Sequence, residues 1–105
     1  MILIEKLKRK SDFETLFKKG KKVYSKSFLV LYLPSKSLKI GYCVSKKHGK
    51  AVVRNRIKRL LRAAVRNNIG SFNGKFNIIF LPKVKENYSF EEYDGEISLV
   101  LGKLT

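Results

Sequence analysis

Basic side chains recur at a helical spacing in the middle of this sequence. The members of this basic stripe are Arg54, Lys58, Arg62 and Arg66, with Asn55, Arg56 and Arg59 beside it. Residues four positions apart lie on one face of an α-helix, so these cations form one continuous surface. Guanidinium groups bind phosphate oxygens in a bidentate manner. The spacing therefore predicts contact with the phosphates of RNA or DNA.

Acidic side chains are missing from most of the chain. Residues 15–85 contain no carboxylate, although 19 of the 24 Lys and Arg residues fall within them. A solvated face normally mixes both signs of charge, so this segregation favours a polyanionic partner. General acid–base catalysis and carboxylate metal sites would need acids in this span. We therefore expect no catalytic residue and no metal site in the chain.

Length and composition limit the class of protein. The 105 residues suffice for one folded unit, and a formal net charge of +16 is high for that size. We therefore expect a single nucleic-acid-binding domain over residues 1–105. The lone cysteine, Cys43, excludes an internal disulfide and fits a reducing, cytoplasmic location. No apolar run approaches the roughly 20 residues that cross a bilayer, so no membrane partner is expected.

The basic stripe belongs to the strongest helical pattern in the sequence, over residues 51–68. Apolar residues at helical spacing predict the buried face of this helix: Val53, Ile57, Leu60, Leu61 and Ala64. A shorter helix is predicted over residues 10–20, with Ser11 as its N-cap and Phe13 and Phe17 on its apolar stripe. A third helix is predicted after Ser89.

Short apolar runs predict the strands. They cover residues 28–33, 38–45 and 76–81, with a brief edge strand at 23–24. In the 38–45 run bulky and small side chains alternate, so one face is nearly bare and leaves room for a nucleic-acid strand; its residues are Gly41, Cys43 and Ser45. A long helix between two strands predicts that they are parallel neighbours. The predicted fold is α+β, a single-domain α-β sandwich with a four-stranded sheet in the order αβββαβα.

A long run in the middle of the chain closely resembles the signature of the protein subunit of bacterial ribonuclease P. The run covers residues 46–62 and reads KKHGKAVVRNRIKRLLR. That family has an Arg-Asn-Arg centre, followed by an aliphatic residue, a base and Arg. The first helix and the strands at 28–32 and 41–46 also fall at the family's spacing, so the resemblance covers about residues 6–82.

The resemblance implies a reaction and a division of labour. The protein would be the cofactor of an RNA-based endoribonuclease that removes the 5′ leader from precursor tRNA. Catalysis and its Mg²⁺ ions would belong to a partner catalytic RNA, and no obligate protein partner is inferred. The family also implies a left-handed βαβ crossover, where the general rule would favour a right-handed one.

The resemblance also assigns residues to two contacts. The catalytic RNA would be bound by Arg54, Asn55, Arg56, Lys58, Arg59, Arg62 and Arg66. The single-stranded leader would lie in a cleft between the first helix and the sheet, with Phe13, Phe17, Leu31, Tyr32, Lys46, Lys47 and Lys50. Two positions depart from the family. Leu31 stands where a cleft tyrosine is expected, one residue before Tyr32, and His48 stands where an aliphatic residue is usual.

Other interpretations fit the same size and charge. A ribosomal protein that scaffolds rRNA is the main alternative, and a basic domain that binds DNA or a membrane surface is another. Phe13 and Phe17 also fit a purely structural role in the core. His48 lacks the Cys or carboxylate companions of a metal site, and Cys43 fits a small strand residue. The Arg-rich run favours ribonuclease P over these alternatives.

Overall fold

The computed structural model describes residues 5–70 and 72–104. Its helices are Lys10–Lys19 (α1), Ala51–Asn68 (α2) and Phe90–Leu104 (α3). Its strands are Glu5–Lys6 (β1), Lys21–Tyr24 (β2), Phe28–Pro34 (β3), Lys39–Tyr42 (β4) and Phe76–Pro82 (β5). A short 3-10 turn, Lys46–His48, lies between β4 and α2.

All these strands form one sheet in the order β1-β4-β5-β3-β2. β3 pairs antiparallel with both β2 and β5, whereas β4 lies parallel to β5 and is joined to it through α2. The predicted α+β fold, its four strands and its parallel βαβ unit are thus confirmed, while the hand of the crossover stays a prediction. The sequence did not predict β1, a two-residue strand that pairs in parallel with β4.

The larger core lies between the sheet and the pair α2 and α3. The strand side chains facing these helices are almost fully buried: Phe28, Val30, Ile40, Ile78 and Phe80. Helix α2 buries Ile57, Leu61, Ala64 and Val65 against them. Val53, predicted as core, is 36% exposed. It lies in the first turn of α2 beside Gly49, before the helix reaches the sheet, and Val65 takes a buried place that the pattern did not assign.

A smaller core lies on the other face of the sheet, under α1. Leu16 is buried there with Leu7, Leu31 and Ile79. Phe13 packs on the small face of β4, and a Cβ atom added to Gly41 would lie 3.0 Å from the Phe13 ring. The Phe13 ring therefore covers Gly41, and the small face is not bare at this residue, contrary to the expectation from the sequence.

Helix α1 begins at Lys10, the first residue of the predicted range, but its N-cap lies two residues before the predicted one. The carbonyl oxygen of Arg9 accepts from the backbone N–H groups of Asp12 and Phe13, at 3.1 and 3.2 Å. Arg9 is therefore the N-cap, and it makes no side-chain capping bond. The prediction of Ser11 as the N-cap is wrong because Ser11 is already helical, and its carbonyl accepts from the Thr15 hydroxyl at 2.8 Å.

A carboxylate joins α3 to the turn between β2 and β3. Glu96 accepts hydrogen bonds from the Ser25 and Ser27 hydroxyls and, at 2.6 Å, from the Ser27 backbone N–H. Ser27 is fully buried, and its hydroxyl also accepts from the ammonium group of Lys85. Lys85 forms a salt bridge of 2.7 Å with Glu92. This network fixes α3 to the sheet by polar contacts in addition to its apolar stripe.

Candidate nucleic-acid interface

Helix α2 turns its basic residues away from the core that buries its apolar face. Arg56, Arg59, Arg62 and Arg66 are exposed, while Arg54 and Lys58 are half-buried. The salt bridge recorded among residues 5–70 and 72–104 joins Lys85 to Glu92 and involves no residue of α2. Arg54 Nε is buried and has no hydrogen-bond partner in the same part of the chain. The helix therefore presents cations that lack carboxylate partners, as the spacing predicted.

The turn before α2 holds three further lysines at the surface. Lys46, Lys47 and Lys50 are all exposed. The turn is anchored by His48, whose Nε2 lies 2.7 Å from the Pro82 carbonyl oxygen and whose Nδ1 lies 3.2 Å from the Ser45 backbone nitrogen. A neutral imidazole with its proton on Nε2 satisfies both contacts. His48 therefore ties the basic turn to the end of β5.

Gly49 makes the passage from this turn into α2 possible. Its φ of 116° lies in a region that side chains with a Cβ rarely adopt. Lys50 then caps α2 without a side-chain hydrogen bond, and the first turn of the helix carries no acidic residue. The exposed lysines thus stand at the positive end of the α2 dipole, which favours an anionic ligand.

A cleft of about 640 Å³ opens between α1, α2 and the β4 edge of the sheet. Its lining residues are Lys6, Leu7, Phe13, Ile40, Gly41, Tyr42, Lys58, Arg62, Val65 and Arg66. Four of these side chains are cationic and none is acidic, whereas the floor is aromatic and apolar. Phosphate groups and exposed nucleobases fit these two kinds of lining.

Tyr42 forms part of the cleft floor and is held by the core. Its ring is nearly parallel to that of Phe80, with ring centroids 5.8 Å apart. The guanidinium carbon of Arg62 lies 5.8 Å from the Tyr42 ring centroid. Burial raises the pKa of the Tyr42 hydroxyl to about 12, although Arg62 and Arg66 act in the opposite direction. The hydroxyl therefore keeps its proton at neutral pH.

The structure brings together only some of the residues predicted for the leader cleft. Phe13 lines the cleft with Lys58, Arg62 and Arg66, which the sequence assigned to the catalytic RNA. Phe17 lies one turn further along α1 and is 51% exposed. The residues predicted for the leader and those predicted for the catalytic RNA therefore lie side by side, between α1 and α2.

Leu31 and Tyr32 do not share a surface, because consecutive strand residues point to opposite faces. Leu31 is buried under α1. Tyr32 points to the face covered by α2 and α3, where its ring contacts Phe76 at a centroid distance of 5.6 Å. The placement of Tyr32 excludes it from the cleft, and Leu31 supports the cleft from beneath. Lys46, Lys47 and Lys50 belong to the turn at the start of α2 and do not line the cleft.

Lys6 and Tyr42 are among the cleft residues that the sequence interpretation did not assign to either contact. Lys6 belongs to β1, a segment of two charged residues whose sequence gives no indication that it pairs with β4. Tyr42 was recognised as a bulky strand residue, and its place follows from the parallel pairing of β4 with β5, which puts α2 above it. The place of Tyr42 under α2 could therefore have been inferred from the sequence, since the βαβ unit was predicted.

No cluster of three or more His, Cys, Asp or Glu side chains suited to a metal ion occurs in the described ranges. Cys43 is a free, half-buried thiol, and burial raises its pKa, with Lys58 acting in the opposite direction. Within the same ranges, no helix is both long and apolar enough to cross a membrane.

Known proteins resemble this chain over nearly its whole length. Residues 4–105 match the sequence model of a family described as Ribonuclease P. A curated relative from Finegoldia magna, named Ribonuclease P protein component, is 35% identical over 100 residues, which are 93% of this chain and 88% of the relative. A relative of the same name from Bacillus velezensis is 40% identical over 90 residues, which are 83% of this chain and 78% of the relative.

Solved structures share the fold. The RNase P protein from Thermotoga maritima has a TM-score of 0.85 at 30% identity and covers 96% of this chain and 98% of its own. The Staphylococcus aureus RNase P protein has a TM-score of 0.81 at 28% identity, covering 94% of this chain and 95% of its own. These similarities favour the ribonuclease P interpretation over the ribosomal alternative.

Proposed function

Because this chain belongs to the ribonuclease P protein family, whose members are subunits of the ribonucleoprotein that cleaves precursor tRNA, we propose that it makes two contacts with RNA. The exposed cations of α2 that do not line the cleft, Arg56 and Arg59, bind the catalytic RNA. The cleft between α1, α2 and β4 binds the single-stranded 5′ leader of precursor tRNA. The basic turn, with Lys46, Lys47 and Lys50, extends the phosphate-binding surface at the start of α2.

The chemistry of cleavage belongs, in this proposal, to the catalytic RNA and its Mg²⁺ ions. The proposal is supported by the sequence, since residues 15–85 hold no carboxylate, and none of the residues lining the cleft is acidic. The lining of the cleft therefore offers the leader no carboxylate base and no carboxylate ligand for a hard cation. The protein contributes binding energy and orientation of the substrate.

The cleft suits a ligand whose sequence varies. Leaders share phosphates and base faces, and these are the groups that cations and aromatic rings bind without regard to sequence. Phe13 offers ring surface in the cleft, while Lys58, Arg62 and Arg66 offer charge on α2. The half-exposed Phe17 lies outside the cleft lining, one turn further along α1. The convergence of the Phe13 ring with three cations of α2 in one cleft is the observation that carries the proposal.

The test compares precursor tRNA with mature tRNA, using the protein assembled with its catalytic RNA. Arg62→Gln is expected to weaken binding of precursor tRNA and to leave binding of mature tRNA unchanged, because it removes a cleft charge that only the leader contacts. Lys36→Gln is the matched control, since it removes one exposed charge in the β3–β4 turn outside the cleft.

Equal effects of the two substitutions would contradict the leader assignment. Equal competition by duplex DNA and by structured RNA for the protein would contradict the catalytic-RNA assignment and favour a general basic domain.

A further inference from the structure

Tyr42 connects the core to the cleft through its aromatic ring. On the core side, the ring stacks on Phe80, which is fully buried, at an interplanar angle of 15°. On the cleft side, the Arg62 guanidinium carbon stands 5.8 Å from the ring centroid. An aromatic face attracts a guanidinium group at this distance. A rigid core residue therefore restrains an exposed, flexible cation.

Arg62 has no competing partner in the part of the chain that the structure describes. No carboxylate and no hydrogen-bond acceptor is recorded for its guanidinium group between residues 5 and 70 or 72 and 104. Its five N–H donors therefore stay available while the Tyr42 ring limits its rotamers. An arginine that is already ordered loses less conformational entropy when it binds a phosphate.

We propose that Tyr42 is a positioning residue that holds the Arg62 guanidinium over the cleft, ready for a phosphodiester of the leader. This inference rests on the proposed function of the cleft. A tyrosine hydroxyl is ordinarily neutral at pH 7, and burial raises the pKa of the Tyr42 hydroxyl further, to about 12. An ionised tyrosine would form an ion pair with Arg62 and compete with the phosphate, so the neutral ring suits this role.

A double-mutant cycle tests the coupling between the two residues. Tyr42→Leu, Tyr42→Phe and Arg62→Gln are assembled with the catalytic RNA, and the Kd for precursor tRNA is divided by that for mature tRNA. Tyr42→Leu is expected to reduce this preference by about two- to five-fold, the size of one cation–π contact. Tyr42→Phe is expected to retain it, because the ring remains. In the Arg62→Gln background, Tyr42→Leu is expected to have no further effect.

Nuclear magnetic resonance of the arginine Nε–H groups in the free protein gives a second, independent measurement. The Arg62 signal is expected to show an upfield ring-current shift in the unsubstituted chain and in Tyr42→Phe, and to lose it in Tyr42→Leu. An unshifted Arg62 signal in the unsubstituted chain overturns the inference, even where Tyr42→Leu fails to fold.

The outcomes separate the inference from the function on which it rests. If Arg62→Gln leaves the preference for precursor tRNA unchanged, the proposed function of the cleft is contradicted. If Arg62→Gln lowers that preference and folded Tyr42→Leu does not, the inference alone is contradicted. An equal loss from Tyr42→Leu with and without Arg62 also contradicts it, because the ring would then act through another residue.

Discussion

Two phenylalanines one turn apart on α1 have different surroundings. Phe13 packs against the backbone of Gly41 and closes one wall of the cleft. Phe17 is 51% exposed, and its ring is therefore available to a ligand. At the scale of single residues, one apolar stripe thus presents a packed ring and an exposed ring at neighbouring positions.

Phe17→Ala is expected to affect RNA recognition more than stability. Its ring is half exposed, so truncation removes little buried area, whereas one lost stacking contact weakens precursor tRNA binding by about five-fold or more. The measurement is the Kd for precursor and for mature tRNA with the assembled ribonucleoprotein. Leu99→Ala is the matched control, since Leu99 is an exposed apolar residue on α3. An equal loss for both tRNAs would indicate a folding defect instead.

Gly41→Val is expected to lower the free energy of unfolding by about 1–3 kcal/mol, the usual cost of overpacking. A Cβ atom at Gly41 would already lie 3.0 Å from the Phe13 ring, and the valine methyl groups add to this conflict. Urea unfolding followed by circular dichroism measures the change. Gly95→Ala is the control, because no atom lies within 4 Å of its added Cβ.

The control should behave in the opposite way. Gly95 lies inside α3, where alanine is favoured over glycine by up to about 1 kcal/mol. Unchanged stability of Gly41→Val would mean that Phe13 moves aside without cost and is not fixed by the strand backbone.

At the scale of elements, two acidic side chains, Glu92 and Glu96, attach α3 to the sheet, and Glu96 accepts hydrogen bonds from both Ser25 and Ser27. Partial burial raises the pKa of the Glu96 carboxyl, but hydrogen bonds from Ser25 and Ser27 outweigh burial and hold the pKa below its usual range. A carboxyl group whose pKa is lowered by folding stabilises the folded state above its unfolded pKa. That contribution disappears as the pH falls through the folded pKa.

Glu96→Gln is therefore expected to weaken the dependence of stability on acid. The unsubstituted chain should lose free energy of unfolding as the pH falls below about 4.3, the ordinary pKa of glutamate. The variant should have a lower free energy of unfolding at pH 7 than the unsubstituted chain. Its free energy of unfolding should also fall less between pH 7 and pH 3. Urea unfolding at both pH values measures this, with Glu86→Gln as a control at an exposed acid. Identical pH profiles for Glu96→Gln and the unsubstituted chain would contradict the role of this carboxylate.

The elements themselves were largely predictable, and the exceptions have local causes. The pattern of α2 and the apolar runs of β3 and β5 predicted their positions because burial on one or both faces dictates those residue types. The Ser11 cap was wrong because the Arg9 carbonyl accepts the first backbone hydrogen bonds of α1, which places the N-cap two residues before Ser11. Strand β1 could not be predicted, because its two charged residues carry no strand pattern of their own. They form a strand through their pairing with β4.

At the scale of the whole molecule, the proposed binding to the catalytic RNA depends on electrostatics. Arg56→Ala is expected to weaken this binding to a similar extent whatever the RNA sequence. It is also expected to reduce the slope of log K against log salt concentration by about one unit. The measurement is a titration at several salt concentrations. Lys103→Ala, on α3, is the matched control. An unchanged slope for Arg56→Ala would show that this side chain does not contact phosphate.

The candidate site could be predicted only in part, because it combines local and long-range relations. The basic face of α2 follows from spacing within one helix. The cleft depends on how α1, β1 and β4 meet, so Lys6 and Tyr42 were not assigned to it and Tyr32 was placed there wrongly. Strand alternation already separates Leu31 from Tyr32, but which of them faces α1 depends on the register of β3 with β5.

The position of α3 has a consequence for the approach to RNA. Four of the eight acidic residues of the chain lie on this helix. Glu96 ties the helix to the β2–β3 turn, whereas the cations of α2 lie near β4, towards the other edge of the sheet. Such a separation makes the protein an electric dipole. The field of a polyanion exerts a torque on a dipole before contact, so the molecule rotates to present α2 first. The speed of productive encounter therefore depends on where the charges sit as well as on their sum.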